Sequence, residues 1–340
     1  MNPLPTPTGS GPPAARLRDA IGRRFEYLRL SLTDVCNFRC SYCLPEGYRK
    51  QAGLPANLTV QETGRLVAAF ASLGLWKVRL TGGEPSLRPE LLDLARTVAA
   101  TPGIRRLAMT TNGYRLAERA ADYAAAGISA LNVSLDSLDA GRFASITGHD
   151  RLGEVLDGIA AARLAGISSI KLNSVLMRGV NDDELEAFVA FVRRHDLALR
   201  FIEVMRTNDN PEFFARHHLA GAEIAARLEA MGWQALPREA GAGPAVVYAQ
   251  PGQPGQIGII APYAKDFCAS CNRLRVSARG KLHLCLFGDH GIDMRPLLQD
   301  DSQHDALVAR IVALTATKAP AHRLHEGNSG GTPHLASIGG

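Results

Sequence analysis

The sequence predicts an α/β fold: a partial TIM-type (β/α)6 barrel followed by a C-terminal α+β extension. Three observations predict it. Short β-rich runs alternate with amphipathic helical segments from about residue 27 to residue 204. Six such units in succession require parallel strands, and right-handed crossovers curl a parallel sheet toward a barrel. Polar and charged residues gather where those strands end, which is where a barrel keeps its chemistry.

The strands fall at 27–32, 77–80, 106–110, 130–134, 169–175 and 199–204. Thr59-Val-Gln-Glu62 is a capping box that opens the first helix. Apolar residues at helical spacing mark further helices over 89–100, 116–126, 153–165 and 183–195. After Arg206 the pattern changes. A helix is expected at 222–231, then a Gly/Pro-rich stretch at 237–254, then short β runs with a hairpin turn at Arg279-Gly280, and a last helix over 305–317. The expected organisation is a flexible Pro-rich tail (1–22), the barrel (23–206) and an extension packed on the barrel mouth (207–340).

Composition narrows the function. The chain has 340 residues, 46% of them hydrophobic, enough for a sizeable core. Its formal net charge is +5, which suits a nucleotide polyphosphate as well as a nucleic acid. No run of five Lys or Arg residues exists, so a basic nucleic-acid tail is not expected. No apolar stretch reaches the roughly 18 residues that span a bilayer, and the N-terminus lacks the apolar core of a signal peptide. A cytoplasmic location is the expectation. Disulfides are rare there, so clustered cysteines read as metal ligands or catalysts.

All six cysteines fall into two groups of three. Cys36, Cys40 and Cys43 form C-x3-C-x2-C; Cys268, Cys271 and Cys285 form C-x2-C-x13-C. A closed zinc site wants four protein ligands, and a cubane [4Fe–4S] cluster has four irons. Three thiolates leave one position open, the mark of a site that does chemistry. Zinc with a histidine as fourth ligand is the alternative at either triad. It is stronger at the second, where His283 lies two residues before Cys285.

Other unusual residues follow the same strand ends. Thr81-Gly82-Gly83-Glu84-Pro85 follows strand 2, Thr110-Thr111-Asn112-Gly113 ends strand 3, Ser134-Leu135-Asp136 ends strand 4 and Met205 ends strand 6. Three strands also carry a cation inside an apolar run: Arg29 in YLRLSL, Arg79 in KVRLTG and Lys171 in SIKLNS. Buried cations are costly without a partner. They suggest a basic barrel interior, or internal salt bridges with Glu84, Asp136 or Glu203.

C-x3-C-x2-C with Tyr42 before its third cysteine, together with the TGGEP run, resembles the radical SAM (S-adenosylmethionine) superfamily. The second triad, the run Cys271-Asn272-Arg273-Leu274-Arg275, the segment YLRLSLTDVCNFRC and the terminal Gly-Gly are together similar to the GTP 3′,8-cyclase family. That resemblance covers roughly Arg24 to Gly340, and no motif position departs from it.

The resemblance implies a lyase that cyclises GTP to 3′,8-cyclo-7,8-dihydro-GTP, the first step of molybdenum cofactor biosynthesis. It implies two [4Fe–4S] clusters: one on Cys36, Cys40 and Cys43 that chelates SAM, and one on Cys268, Cys271 and Cys285 that meets the guanine. Tyr42, Gly83, Ser134 and Met205 match SAM-binding positions, with Gly82 beside them. Arg29, Arg79, Thr110, Lys171, Arg273, Leu274 and Arg275 match GTP positions. Arg273, Arg275, Gly339 and Gly340 match catalytic ones, the two glycines as a terminal pair that enters the active site. The implied partners are GTP, a low-potential donor of flavodoxin or ferredoxin type, and the next pathway enzyme, cyclic pyranopterin monophosphate synthase. A homodimer is compatible; membrane and nucleic acid are not implied. The rivals are another radical SAM enzyme with an auxiliary cluster, acting on a peptide or cofactor, and a metal-containing nucleic-acid-binding protein. No basic–aromatic stripe supports the last.

Overall fold

The computed structural model describes residues 17–50, 52–239, 241–288, 290–331 and 335–338. Strands and helices alternate first as β1 (Tyr27–Ser31), α1 (Val60–Ser72), β2 (Lys77–Thr81), α2 (Leu91–Ala100), β3 (Arg106–Thr111), α3 (Leu116–Ala125) and β4 (Ala130–Ser134). They continue as α4 (Ala140–Thr147), α5 (Leu152–Leu164), β5 (Ser169–Leu176), α6 (Leu185–His195) and β6 (Ala198–Glu203). The C-terminal part holds α7 (Pro211–His217), α8 (Gly221–Ala230), β7 (Gln234–Ala235), β8 (Val246–Ala249), β9 (Gln256–Ile260), β10 (Arg273–Val276), β11 (Lys281–His283), β12 (Ile292–Asp293) and α9 (His304–Ala316).

β1 to β6 pair in chain order, each parallel to the next. The alternation of their side chains divides two environments. Leu28, Leu30, Val78, Leu80, Leu107, Leu131, Leu172 and Phe201 point one way and are fully buried in the main core. Burying each such side chain contributes about 1.5–3 kcal/mol. That fixes the register, because a one-residue slip would turn Arg29 or Arg79 into this layer. The opposite parity carries Tyr27, Arg29, Lys77, Arg79, Lys171 and Arg200.

The C-terminal part does more than sit on the mouth, as the sequence suggested. β10 pairs parallel with the free edge of β1, and β9 pairs parallel with the free edge of β6. The result is one twelve-stranded sheet. An open edge leaves backbone donors and acceptors unpaired, and the extension satisfies both edges at once. β8, inside the stretch expected to be Gly/Pro-rich loop, pairs antiparallel with β9. The hairpin expected at Arg279-Gly280 joins β10 to β11, with Gly280 at φ +82.

The tail expected through residue 22 ends earlier. Leu17 and Asp19 are buried, Leu17 N–H donates to the Leu73 carbonyl, and Asp19 pairs with Arg23 at 2.6 Å. Apolar Leu17 and the ion pair outweigh the Pro-rich composition around them. The capping box at α1 forms as expected: Glu62 N–H donates to Thr59 Oγ1 at 3.1 Å, and Thr59 N–H donates to Glu62 Oε2 at 2.8 Å. α4 and α7 are too short to leave a periodic signal in the sequence.

The turn after β2 is locked to the loop after β1. Gly83 N–H donates to the Thr33 carbonyl at 2.9 Å, and Glu84 N–H to the Val35 carbonyl at 2.8 Å. A Cβ on Gly83 would stand 2.4 Å from the Val35 oxygen. Gly82 lies at φ +151, and its Cβ would stand 2.4 Å from the Thr33 oxygen. Glycine is needed here so that two backbones can touch.

Gly83→Ala is therefore expected to destabilise the protein by about 2 kcal/mol, the usual scale of a backbone-facing overpack. Gly153→Ala, at a position with nothing within 4 Å, is the control. Thermal midpoints measure the difference; equal midpoints for the two variants would show that the loop yields freely.

Candidate active site

The loop after β1 carries the first triad and is pinned on two sides. Buried Phe38 packs edge-on against Phe143 of α4, ring centroids 6.4 Å apart. Arg39 and Ser41 N–H groups donate to the Thr147 and Ile146 carbonyls, both at 2.9 Å. Cys36, Cys40 and Cys43 then line one cavity together with Gly82, Gly83, Thr110, Asn112, Ser134, Asp136 and Met205. The strand ends deliver every one of these groups, as barrel geometry requires.

Burial pushes the Cys36 thiol up to about 11 and the Cys43 thiol up to about 12, and raises Cys40 as well. The three sulfurs also repel one another as thiolates. Without a counter-charge they stay protonated, and a bound metal reverses that balance outright. Among the described residues, no three His, Cys, Asp or Glu groups converge as ligands of one metal ion. A cubane presents separate irons at its corners and takes one sulfur at each. The three sulfur donors of the first triad fit such a cluster, with one iron left open.

Three carboxylates at or beside this cavity are buried and engaged. Glu84 accepts from Asn112 N–H at 2.7 Å and from Thr111 Oγ1 at 2.8 Å, and burial raises its pKa. Asp136 accepts from the Tyr42 hydroxyl at 2.9 Å and from Val175 N–H at 2.8 Å. Burial lifts it to about 6. Glu203 accepts from His218 Nε2 at 2.8 Å. Each of the three carboxylates considered as a salt-bridge partner for the interior cations thus has a bond elsewhere.

The cations sit on the inner face of the strands. Register places Arg29 beside Arg79 on one side and beside Arg275 on the other. Burial lowers the pKa of Arg29 and drives that of Arg275 well below its usual value. After burial, the neighbours that most affect Lys171 are Arg200, Arg106, Lys77 and Arg79, all cations; its pKa falls to about 8. Lys77 falls to about 8, also through burial first. Arg79 donates to Tyr27 Oη at 2.5 Å and to Thr110 Oγ1 at 3.2 Å. Such a surface is poised for a polyanion.

The second triad faces a second cavity, lined by Cys268, Cys271, Cys285, Arg273, Arg275, Lys318 and again Met205. Arg23 braces it, donating to the Cys268 carbonyl at 3.0 Å and to the Pro320 and Ala319 carbonyls at 2.6 and 2.7 Å. Burial raises Cys268. At Cys271 burial acts the same way, but Arg273 and Lys318 overcome it and the thiol pKa falls. The last described segment bridges the cavities: Ala336 lines the first, and buried Ile338 packs with Leu286, Phe287, Met205 and Cys285 beside the second.

Most expected positions converge here. The six cysteines, Tyr42, Gly83, Ser134, Thr110 and Met205 line the first or second cavity, as do Arg273 and Arg275. Arg29 joins them through its register partners. Lys171 stands among Arg200, Arg106, Lys77 and Arg79 and also lines a cleft at the N-terminal ends of β5, β6 and β9. Leu274 is the exception. It is fully buried in the main core, on the face opposite Arg273 and Arg275, so its side chain does not reach either cavity. Gly339 and Gly340 lie outside the described residues. Lys77, Arg106 and Arg200 were missed; strand parity with Arg79, Ala108 and Ile202 is the signal that finds them.

With this geometry established, the relatives are informative. Residues 30–192 match the Radical SAM superfamily, and residues 197–324 match Molybdenum Cofactor Synthesis C. A GTP 3′,8-cyclase of Stenotrophomonas maltophilia is 56% identical over 326 residues, covering 96% of this chain and 100% of that protein. One of Vibrio cholerae is 53% identical over 328 residues, covering 96% of this chain and 98% of its own. In fold, the chain is similar to Streptococcus suis SuiB bound to S-adenosylmethionine, at TM-score 0.55 and 13% identity, over 88% of this chain and 76% of that one. Among the described residues no helix is long and apolar enough to cross a membrane. Radical SAM membership brings S-adenosylmethionine and a [4Fe–4S] cluster as the working cofactors. The chain belongs to the GTP 3′,8-cyclase family of radical SAM enzymes.

Proposed function

We propose that this chain cyclises GTP to 3′,8-cyclo-7,8-dihydro-GTP in the first step of molybdenum cofactor biosynthesis. One observation carries the reading: the inward-facing cations of β1, β2 and β10 adjoin two cavities, each faced by three cysteines, with Met205 common to both. Cys36, Cys40 and Cys43 would hold the cluster that binds SAM, and Cys268, Cys271 and Cys285 a second cluster that orients guanine. When bound, the first cluster and SAM supply one-electron cleavage and a radical able to take hydrogen from C3′ of the ribose. A C3′–C8 bond then forms, and one electron and one proton complete the product.

The protein's own residues bind and orient. Gly82 and Gly83 bring backbone close to the first triad. Ser134, Tyr42 and Met205 stand where SAM would lie, and Asp136 holds the Tyr42 ring in place. Arg29, Lys77, Arg79, Lys171 and Arg200 would neutralise the triphosphate, and Arg273 and Arg275 would hold the nucleotide beside the second triad. The segment ending at Ile338 packs beside both cavities and helps exclude water. The electron would come from a flavodoxin- or ferredoxin-type donor, and the product would pass to cyclic pyranopterin monophosphate synthase.

Anaerobic incubation with SAM, GTP and dithionite is expected to give 5′-deoxyadenosine and cyclised product in equal amounts by mass analysis. Cys36→Ala should abolish deoxyadenosine formation; accumulation at the wild-type rate would remove the first triad from its role. Cys268→Ala should keep the first cluster yet lose cyclised product, and unchanged turnover would exclude a substrate-binding second triad.

Affinity for GTP should also depend on pH. Lys77 and Lys171, each lowered to about 8, are charged below that pH and lose charge as pH rises through it. GTP binding should therefore weaken above pH 8, by up to about tenfold per pH unit for each lysine. A Lys77→Arg, Lys171→Arg variant keeps its charge and should show a shallower fall in equilibrium binding. Matching slopes would mean the lysines do not face the triphosphate.

A further inference from the structure

Three neighbouring strands build a grid of six inward-facing residues. One row is Arg273–Tyr27–Lys77 and the other Arg275–Arg29–Arg79, in register across β10, β1 and β2. Five positions carry a cation and the sixth a phenol. Tyr27 is buried, and its hydroxyl oxygen accepts from Arg79 Nε at 2.5 Å and also from Arg29. The Lys77 ammonium stands 4.6 Å from the centre of its ring. One side chain therefore touches three of the cations, and it is the acceptor within the grid.

We infer that Tyr27 is a positioning residue for the substrate: its oxygen holds the Arg29 and Arg79 guanidinium groups in the orientation that grips the triphosphate. The inference rests on the reading that GTP occupies this interior. Two adjacent guanidinium groups repel each other, and each ends a long side chain with many rotamers. A shared acceptor between them opposes the repulsion and removes the freedom before substrate arrives, which is preorganisation. Arg79 is fixed from its other side as well, through Nη1 to the Met109 carbonyl and Thr110 Oγ1, both at 3.2 Å. Burial alone would raise the Tyr27 pKa. Arg79, Arg29 and Lys77 overcome that and lower it, and because guanidinium groups are the donors both hydrogen bonds are charge-assisted. Phenylalanine would fill the same space without accepting either bond. Nothing places Tyr27 against the reacting atoms, and it is not assigned a catalytic role.

The test uses the reconstituted holoenzyme under anaerobic conditions. Tyr27→Phe is expected to raise the Kd and KM for GTP about fivefold or more, with kcat within about twofold of wild type and SAM binding unchanged. The loss should be greatest for GTP and small for GMP, which lacks the outer phosphates. Arg79→Ala is measured alongside. If Arg79→Ala weakens GTP binding and Tyr27→Phe does not, the positioning role is wrong while the triphosphate site stands. If Arg79→Ala leaves GTP binding unchanged, the site itself is wrong. A Tyr27→Phe protein that loses iron content and SAM affinity together with GTP and GMP binding makes Tyr27 a structural residue and overturns the inference. Tyr27→His, which retains a ring and an acceptor nitrogen, should recover part of the GTP affinity, and no recovery would count against the shared-acceptor account.

Discussion

Positive charge gathered inside a barrel is the constraint on which the rest of this structure depends. Desolvating one guanidinium group is costly, and crowding several together multiplies the cost through repulsion. Here Arg29, Arg79, Arg200 and Arg275 share one interior with Lys77 and Lys171. The nearby acids do not neutralise them: Glu84 caps the turn at Asn112, Asp136 holds Tyr42, and Glu203 holds His218. The fold tolerates this because the outer faces of the same strands bury a continuous apolar layer against the helices. Stability comes from one face of each strand and affinity for a polyanion from the other.

The second constraint is edge closure. Six parallel strands leave two open edges, and the residues after β6 fill both of them with β9 and β10. This places the two triads. The first hangs from the end of β1; the second flanks β10, the strand beside β1, and its Cys268 turn is braced by Arg23 just before β1. The same pairing carries Arg273 and Arg275 into the grid beside Arg29. Sheet extension and site assembly are one event, so a change that displaced β10 would cost both.

Legibility in the sequence followed the nature of each signal. Cysteine spacing, the capping box at Thr59 and the β/α alternation are local patterns, and all were readable. Cations in apolar strands announced a basic interior, because only a special environment justifies Arg in YLRLSL. What escaped was relational. Leu274 shares a motif with Arg273 and Arg275, yet side chains alternate along a strand, and it faces the core. Lys77 and Arg200 carry no motif of their own, and only parity with Arg79 and Ile202 turns them inward. Leu17 and Asp19 looked like tail until the contacts with Leu73 and Arg23 were visible.

The sequence by itself determined the class of fold, the two three-cysteine sets and the strand-end placement of the chemistry, because each rests on spacing along one chain. Tertiary structure decided which strands close the sheet, which cations meet, and that Tyr27 stands among them. Those outcomes depend on register between segments far apart in the chain, Tyr27 beside Arg273 and Ala198 beside Gln256, and no local pattern encodes a distance across a sheet.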